Sequence, residues 1–135
     1  MTDPPGPVSR ESSDVSRESS VISERELGFL IGLIVGEAHL GGDQHAPHLV
    51  IRMHVRHEGT FKILARILPG GRLYGPYAHD GRTYLQWMAR GPYLREVVVP
   101  LLYAHADLID PHVLGRLDAM CNRYGITRTA EEAHR

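Results

Sequence analysis

The stretch ELGFLIGLIVGEAHLGG, residues 26–42, decides how this chain of 135 residues folds. Residues 27–36 carry no charge, and three glycines recur at intervals of four: Gly28, Gly32 and Gly36. Glycine costs the interior of a helix about 1 kcal/mol relative to alanine. Because positions i, i+4 and i+8 share a face, the run predicts an apolar helix with one stripe free of side chains, directly followed by Glu37.

The glycine stripe has two explanations. It could pack inside the protein's own core, or it could let a second helix approach backbone to backbone. Glu37 favours the second explanation, because a carboxylate beside a buried apolar helix requires a partner or a metal. Two copies packed along the stripe would bring two Glu37 carboxylates together, and hard divalent cations relieve such repulsion. A site of this kind suits phosphodiester hydrolysis.

Charge is unevenly distributed over the sequence. The chain has a formal net charge of −1, but residues 38–90 contain seven Arg or Lys, three Asp or Glu, and six histidines. This is a mild basic bias rather than the strong one of many nucleic-acid binders. A single cysteine excludes an internal disulfide framework. The apolar run is too short for a bilayer span and no secretory signal is recognisable, so we expect a cytoplasmic protein without membrane attachment.

The chain divides into a domain and two tails. Residues 1–22, with the repeated sequence VSRESS, predict a disordered Ser- and charge-rich tail. Residues 23–125 predict one domain, and residues 126–135 a C-terminal tail. Ser23 and Glu26 have the spacing of a capping box at the start of the first helix.

Periodicity in the domain predicts an α+β fold. Strands are expected within residues 38–44 and 47–57, a hairpin over 71–90 that turns at Asp80-Gly81, and helices over 60–68, 92–104 and 110–124. Pro100 is expected to kink or restart the helix that contains it. The order is α-β-β-α-β-β-α-α, with four antiparallel strands whose apolar face is covered by helices.

The segment LIGLIVGEA, residues 30–38, resembles the LAGLIDADG motif of homing endonucleases, and the element order over residues 24–105 matches that family's fold. The resemblance implies a saddle-shaped sheet over double-stranded DNA. It also implies that the helix forms a dimer interface and that its terminal acid binds the catalytic metal, Mg²⁺ or Mn²⁺. A single motif implies a homodimer and a roughly palindromic site.

Residue by residue, four positions match the motif's packing residues: Leu30, Gly32, Leu33 and Ile34. Glu37 matches its metal-binding acid. The departures are Ile31, Val35, Gly36 and Ala38. The expected dimer interface comprises Gly28, Gly32, Gly36 and Leu33.

The resemblance further implies that alternate strand residues face DNA, here Arg52, His54, Arg56, Arg72, Tyr74, Arg82, Tyr84 and Gln86. Arginine can bind guanine or phosphate, and Gln86 could read adenine. One face of any antiparallel sheet is solvated and therefore polar. Four arginines without an acid on these strands nevertheless favour DNA.

Two further residues match family positions near the acid: His57 at the end of the second strand and Arg90 at the end of the fourth. The family often has a lysine where Arg90 stands, and arginine is a poor proton shuttle. The histidines suggest zinc only weakly, because no cysteine supports a closed site.

Together these features predict a homodimeric, metal-dependent DNA endonuclease without a small-molecule substrate. The alternative is a catalytically inactive DNA-binding regulator of the same fold, and Arg90 and the low net charge favour it. A weaker third interpretation is a small interaction module with no nucleic-acid partner.

Overall fold

A computed structural model describes residues 21–128. The first helix begins with the expected capping box. Helix α1 spans Glu24–Glu37. The Ser23 hydroxyl accepts a hydrogen bond from the Glu26 amide, and the Glu26 carboxylate accepts one from the Ser23 amide, both at 3.1 Å. These two bonds satisfy backbone donors that have no partner within the helix. The predicted tails lie largely outside the described residues.

The four predicted strands form one antiparallel sheet, which confirms the α+β fold class. The strands are β1 (Ala38–Gly42), β2 (Pro47–His54), β3 (Arg72–His79) and β4 (Arg82–Arg90), in the spatial order β1-β2-β4-β3. Helix α2, Glu58–Ile67, follows β2 and leads to β3. Asp80 and Gly81 both have positive φ, 52° and 75°, as the expected tight turn between β3 and β4 requires.

The second strand is shorter than the sequence pattern predicts. It ends at His54, and Val55–His57 form a 3₁₀ turn. The His54 ring nitrogen Nδ1 accepts a hydrogen bond from the Arg56 amide at 3.0 Å. A backbone amide needs a hydrogen-bond partner, and here the His54 ring supplies it instead of a neighbouring strand. The pairing of β2 therefore stops at His54, and Arg56 does not lie on a strand.

Two helices complete the domain. Helical residues 91–104, called α3, contain the π-helical segment Leu94–Val98, in which the Val99 amide donates to the Leu94 carbonyl five residues back. This widened turn lies just before Pro100, which has no N–H to donate, so the expected irregularity is confirmed as a π turn. Helix α4, Pro111–Tyr124, starts at the Asp110 cap and ends at Gly125, which has the left-handed conformation.

The core lies between one face of the sheet and the helices. Strand residues that alternate as predicted are buried on that face: Leu49, Ile51, Leu85, Trp87 and Ala89. Residues from every helix pack against them in a single cluster. Helices α1–α4 all contribute to this core, and the side chains on the opposite side of the sheet form its open face. None of the helices within residues 21–128 has the length and apolar character that a membrane crossing needs.

Candidate nucleic-acid interface

The open face of the sheet arranges polar side chains in rows. Strand register places Arg52, Gln86 and Tyr74 side by side across β2, β4 and β3. The Arg52 Nε donates a hydrogen bond to Gln86 Oε1 at 2.8 Å. In the next row, the rings of Tyr77 and Tyr84 have centroids 5.5 Å apart. The Arg52–Gln86 contact shows that the predicted alternation brings polar side chains of neighbouring strands onto one surface.

The charge on this face has one sign. The four strands contain no Asp or Glu, whereas they contain Arg52, Arg72, Arg82 and Arg90. A concavity of about 560 Å³ opens where β2 ends and β4 begins; its walls are formed by Arg52, Met53, His54, Arg56, Arg82, Thr83 and Tyr84. A concave surface lined by positive charge attracts anions and raises their association rate.

The structure gathers the residues predicted to face DNA around this surface. Arg52 and His54 are on β2, Arg72 and Tyr74 on β3, and Arg82, Tyr84 and Gln86 on β4. Arg56 leaves the strand for the 3₁₀ turn, yet its side chain still lines the concavity.

Sequence reasoning missed Tyr77, which lies on the same surface. A register shift between Tyr74 and Tyr77 follows Gly75, whose φ is +109°, and Pro76. A bulge of this kind reverses the alternation of the strand. It turns Tyr77, which is 42% exposed, onto the Tyr84 side of the sheet. The signal in the sequence was the Gly-Pro pair inside a strand.

The glycine stripe of α1 is open to solvent. Gly28, Gly32 and Gly36 are all exposed, and a Cβ placed on any of them would meet no atom within 4 Å. The explanation in which the stripe packs against the protein's own core is therefore wrong for the described part of the chain. Leu33, beside the stripe, is only partly buried.

Glu37 is the last residue of α1, and its side chain is exposed. The last turn of α1 contains no basic residue, and within residues 21–128 the carboxylate has no hydrogen bond or ion pair. The C-terminal end of a helix has a partial negative charge. A second negative charge at this end is unfavourable, so binding of a cation would stabilise the Glu37 carboxylate.

Clusters of metal-ligating side chains are missing from the described part of the chain. Among the described residues, no three His, Cys, Asp or Glu side chains lie close enough to hold an ion together. Mg²⁺ is usually held by one or two carboxylates, with water and substrate phosphates as its other ligands. Glu37 fits one position in such a donor set, and among the described residues no two further His, Cys, Asp or Glu side chains join it.

The sheet register places His57 and Arg90, the two residues predicted to lie near Glu37, at different ends of the sheet. Ala38 pairs with Ile51, so Glu37 lies at the level of Arg52, toward the end of β2 that leads to His57. Arg90 pairs with His48 at the opposite end of β2. Four residues of strand, about 13 Å, separate Arg90 from the level of Gln86. The structure therefore brings His57, and not Arg90, toward the end of the sheet where Glu37 lies.

Helix α4 holds the β1 edge of the sheet. The Tyr124 hydroxyl donates to the Asp43 carbonyl at 2.6 Å, and an Arg116 nitrogen lies 3.2 Å from Nδ1 of His39. Hydrogen bonds from the amides of Ala46 and His45 lower the pKa of Asp43. The Asp43 carboxylate is thereby committed to the β1–β2 loop.

Several solved structures have this architecture. The homing endonuclease I-CeuI, in complex with DNA, aligns with a TM-score of 0.61 and 16% identity over 79% of this chain and 59% of its own. This chain has the homing-endonuclease fold. A mutant of I-SmaMI aligns with a TM-score of 0.53 and 14% identity over 69% of this chain and 34% of its own.

The LAGLIDADG meganuclease I-CpaMI, bound to uncleaved DNA, aligns with a TM-score of 0.48 and 18% identity over 76% of this chain and 40% of its own. The likeness to I-CeuI confirms the fold that the resemblance implied. This chain spans 59% of the I-CeuI chain. No protein-family model and no curated protein matches the sequence.

Proposed function

We propose that this protein is a homodimeric, sequence-specific endonuclease that hydrolyses phosphodiester bonds of double-stranded DNA with Mg²⁺ or Mn²⁺. The observation that supports this most directly is the combination found in α1. Its apolar helix has a glycine stripe open to solvent and ends on an exposed carboxylate. That carboxylate directly precedes β1 at the level of Arg52, and the strands of the sheet contain arginines and no acids. The fold is shared with I-CeuI, solved in complex with DNA.

The dimer follows from the open stripe. Beside the glycines lie apolar residues that the protomer buries only in part: Leu27, Phe29, Leu33 and Val35. Removing such surface from water contributes roughly 25 cal/mol per Å². A second α1 packed on the stripe covers this surface at close backbone distance, because no side chain intervenes at Gly32.

Packing of two α1 helices places the two Glu37 carboxylates near the two-fold axis. The two carboxylates and a DNA phosphate then supply oxygen ligands of the kind that Mg²⁺ and Mn²⁺ prefer. A metal held there would activate water and stabilise the leaving oxygen. His57, toward the same end of the sheet, is available to hydrogen-bond a water or a phosphate oxygen.

The arginines of the open face position the DNA. Their guanidinium groups can each bind a phosphate or the acceptor edge of a guanine. Binding through several phosphates weakens with salt, with a log–log slope of about −0.9 per neutralised phosphate. Salt dependence is therefore expected of both the endonuclease and its inactive alternative.

A comparison of DNA cleavage by wild type and by Glu37→Gln distinguishes the endonuclease from the regulator. Wild type and variant are incubated with a library of random duplexes, and binding without metal and cutting with Mg²⁺ or Mn²⁺ are both measured. The substitution keeps the side-chain volume and removes the charge. We expect the variant to bind DNA as tightly as wild type or more tightly, because a carboxylate no longer faces phosphates, and not to cut.

The matched control is Glu96→Gln, an exposed glutamate of the helix layer, which should cut like wild type. If both wild type and Glu37→Gln bind a defined site and neither cuts, the regulator replaces the endonuclease. If Glu37→Gln still cuts, the metal-binding acid is a different residue. If neither protein binds any duplex, the interaction module is the better description.

A further inference from the structure

The hydrogen bond between Arg52 and Gln86 fixes which way the Gln86 amide points. The guanidinium can only donate, so the amide atom 2.8 Å from Arg52 Nε must be the oxygen Oε1. The orientation of this amide is thus set by chemistry, although oxygen and nitrogen of an amide are generally hard to distinguish. The Gln86 NH₂ group and the outer nitrogens of Arg52 are left for a ligand.

The neighbours of this pair on β2, β3 and β4 contribute no acidic group, and Glu37, at the level of Arg52 beyond the start of β1, makes no ion pair with it. Tyr74 lies beside Gln86 in the same row, and His54 and Tyr84 form the next row. Val50, Met88 and Arg72 form the row on the other side. Within residues 21–128, no other hydrogen bond engages the Arg52 guanidinium. The pair therefore presents hydrogen-bond donors and a positive charge at the centre of the open face.

We propose that the Arg52–Gln86 pair selects guanine at one position per protomer. In the major groove guanine offers two acceptors, N7 and O6, whereas adenine offers the acceptor N7 and the donor N6. A lone glutamine matches adenine with its oxygen and its NH₂ group. Here the oxygen already accepts from Arg52, and the adjacent positive charge repels the adenine amino group. A surface of donors fits guanine.

This inference rests on the proposed function, since it assumes that the open face meets the major groove. It replaces the adenine preference that Gln86 alone would predict. A well-formed bidentate contact discriminates against the wrong base by about 1–3 kcal/mol, or roughly 5- to 150-fold in affinity. That range is large enough to be measured position by position.

The test is selection of duplexes from a randomised library by the full-length protein, without divalent metal so that nothing is cut. Wild type, Arg52→Ala, Gln86→Leu and the control Arg66→Ala are compared. Arg52 is exposed, so its truncation should leave the fold intact, which circular dichroism verifies. Arg66 is an exposed arginine at the end of α2, in the helix layer away from the open face.

We expect wild type to enrich guanine at a position where Arg52→Ala loses the preference by roughly 5- to 150-fold. Gln86→Leu should reduce the same preference by less, because Arg52 remains but is no longer held. Arg66→Ala should retain the wild-type profile.

Adenine at the position that responds to Arg52, or no position that responds, would overturn the guanine assignment while leaving DNA binding in place. Failure of wild type to bind any duplex would instead overturn the proposed function, and the guanine assignment with it.

Discussion

Helices α1 and α4 have the same length and opposite relations to the rest of the protein. Each spans 14 residues, and each begins at a residue whose side chain caps the first turn, Ser23 in α1 and Asp110 in α4. Helix α4 buries one apolar face and ends at Gly125 in a left-handed conformation. Helix α1 is apolar nearly all round, buries Leu30, Ile31 and Ile34, and leaves the opposite stripe exposed.

The difference lies in how much apolar surface each helix leaves outside the core. In α4 the buried residues Leu117, Met120 and Cys121 lie on one face, and polar residues cover much of the opposite face. In α1 the apolar surface exceeds what the core covers, and the glycines keep the excess surface flat. Helices that are apolar all round are normally buried all round. A second protomer is the occupant that our proposed function requires.

The largest effect is expected from Gly32→Leu. A leucine side chain on the stripe would separate two packed helices, and contacts between them fall steeply with distance. Sedimentation should show a dimer for wild type and a monomer or an aggregate for the variant. The matched control is Gly115→Leu in α4, where a Cβ also meets no atom within 4 Å. An unchanged dimer in Gly32→Leu would contradict packing through the stripe.

A smaller effect is expected when one leucine of each helix is truncated and the loss of stability is compared. Leu117→Ala truncates a side chain that is 1% exposed in α4. It should lower the free energy of unfolding by about 2–5 kcal/mol, measured by denaturant titration. Leu33→Ala in α1 removes a partly buried side chain, and its cost should grow with protein concentration, because a dimer contact contributes only when protomers associate. Equal costs at all concentrations would place Leu33 outside any interface.

The smallest effect comes from single methyl groups. Gly115→Ala should raise the free energy of unfolding by about 1 kcal/mol, because alanine is the better helix former and the site is open. Gly32→Ala has the same intrinsic gain, but its methyl group would lie between two closely packed backbones. We therefore expect thermal unfolding to show a gain for Gly115→Ala and a smaller gain or a loss for Gly32→Ala. Identical gains would mean that α1 is uncovered.

Local sequence patterns predicted most of the fold because the forces that form those elements act locally. The capping box at Ser23, the Asp80-Gly81 turn and the alternation along β4 each depend on residues a few positions apart. The end of β2 was predicted wrongly, because alternation continued to Arg56 while the His54 ring withdrew an amide from the ladder. The π turn before Pro100 was expected only as an unspecified kink.

The sequence by itself determined the chemistry available to the site: an acid after an apolar helix, and arginines without acids on the strands. Only the tertiary structure decided how these groups are combined. Register between β2 and β4 paired Arg52 with Gln86 and moved Arg90 away from the level of Glu37. The bulge at Gly75 brought Tyr77 to Tyr84. Such pairings depend on residues more than 30 positions apart or on one irregular residue, and periodicity along the chain reports neither.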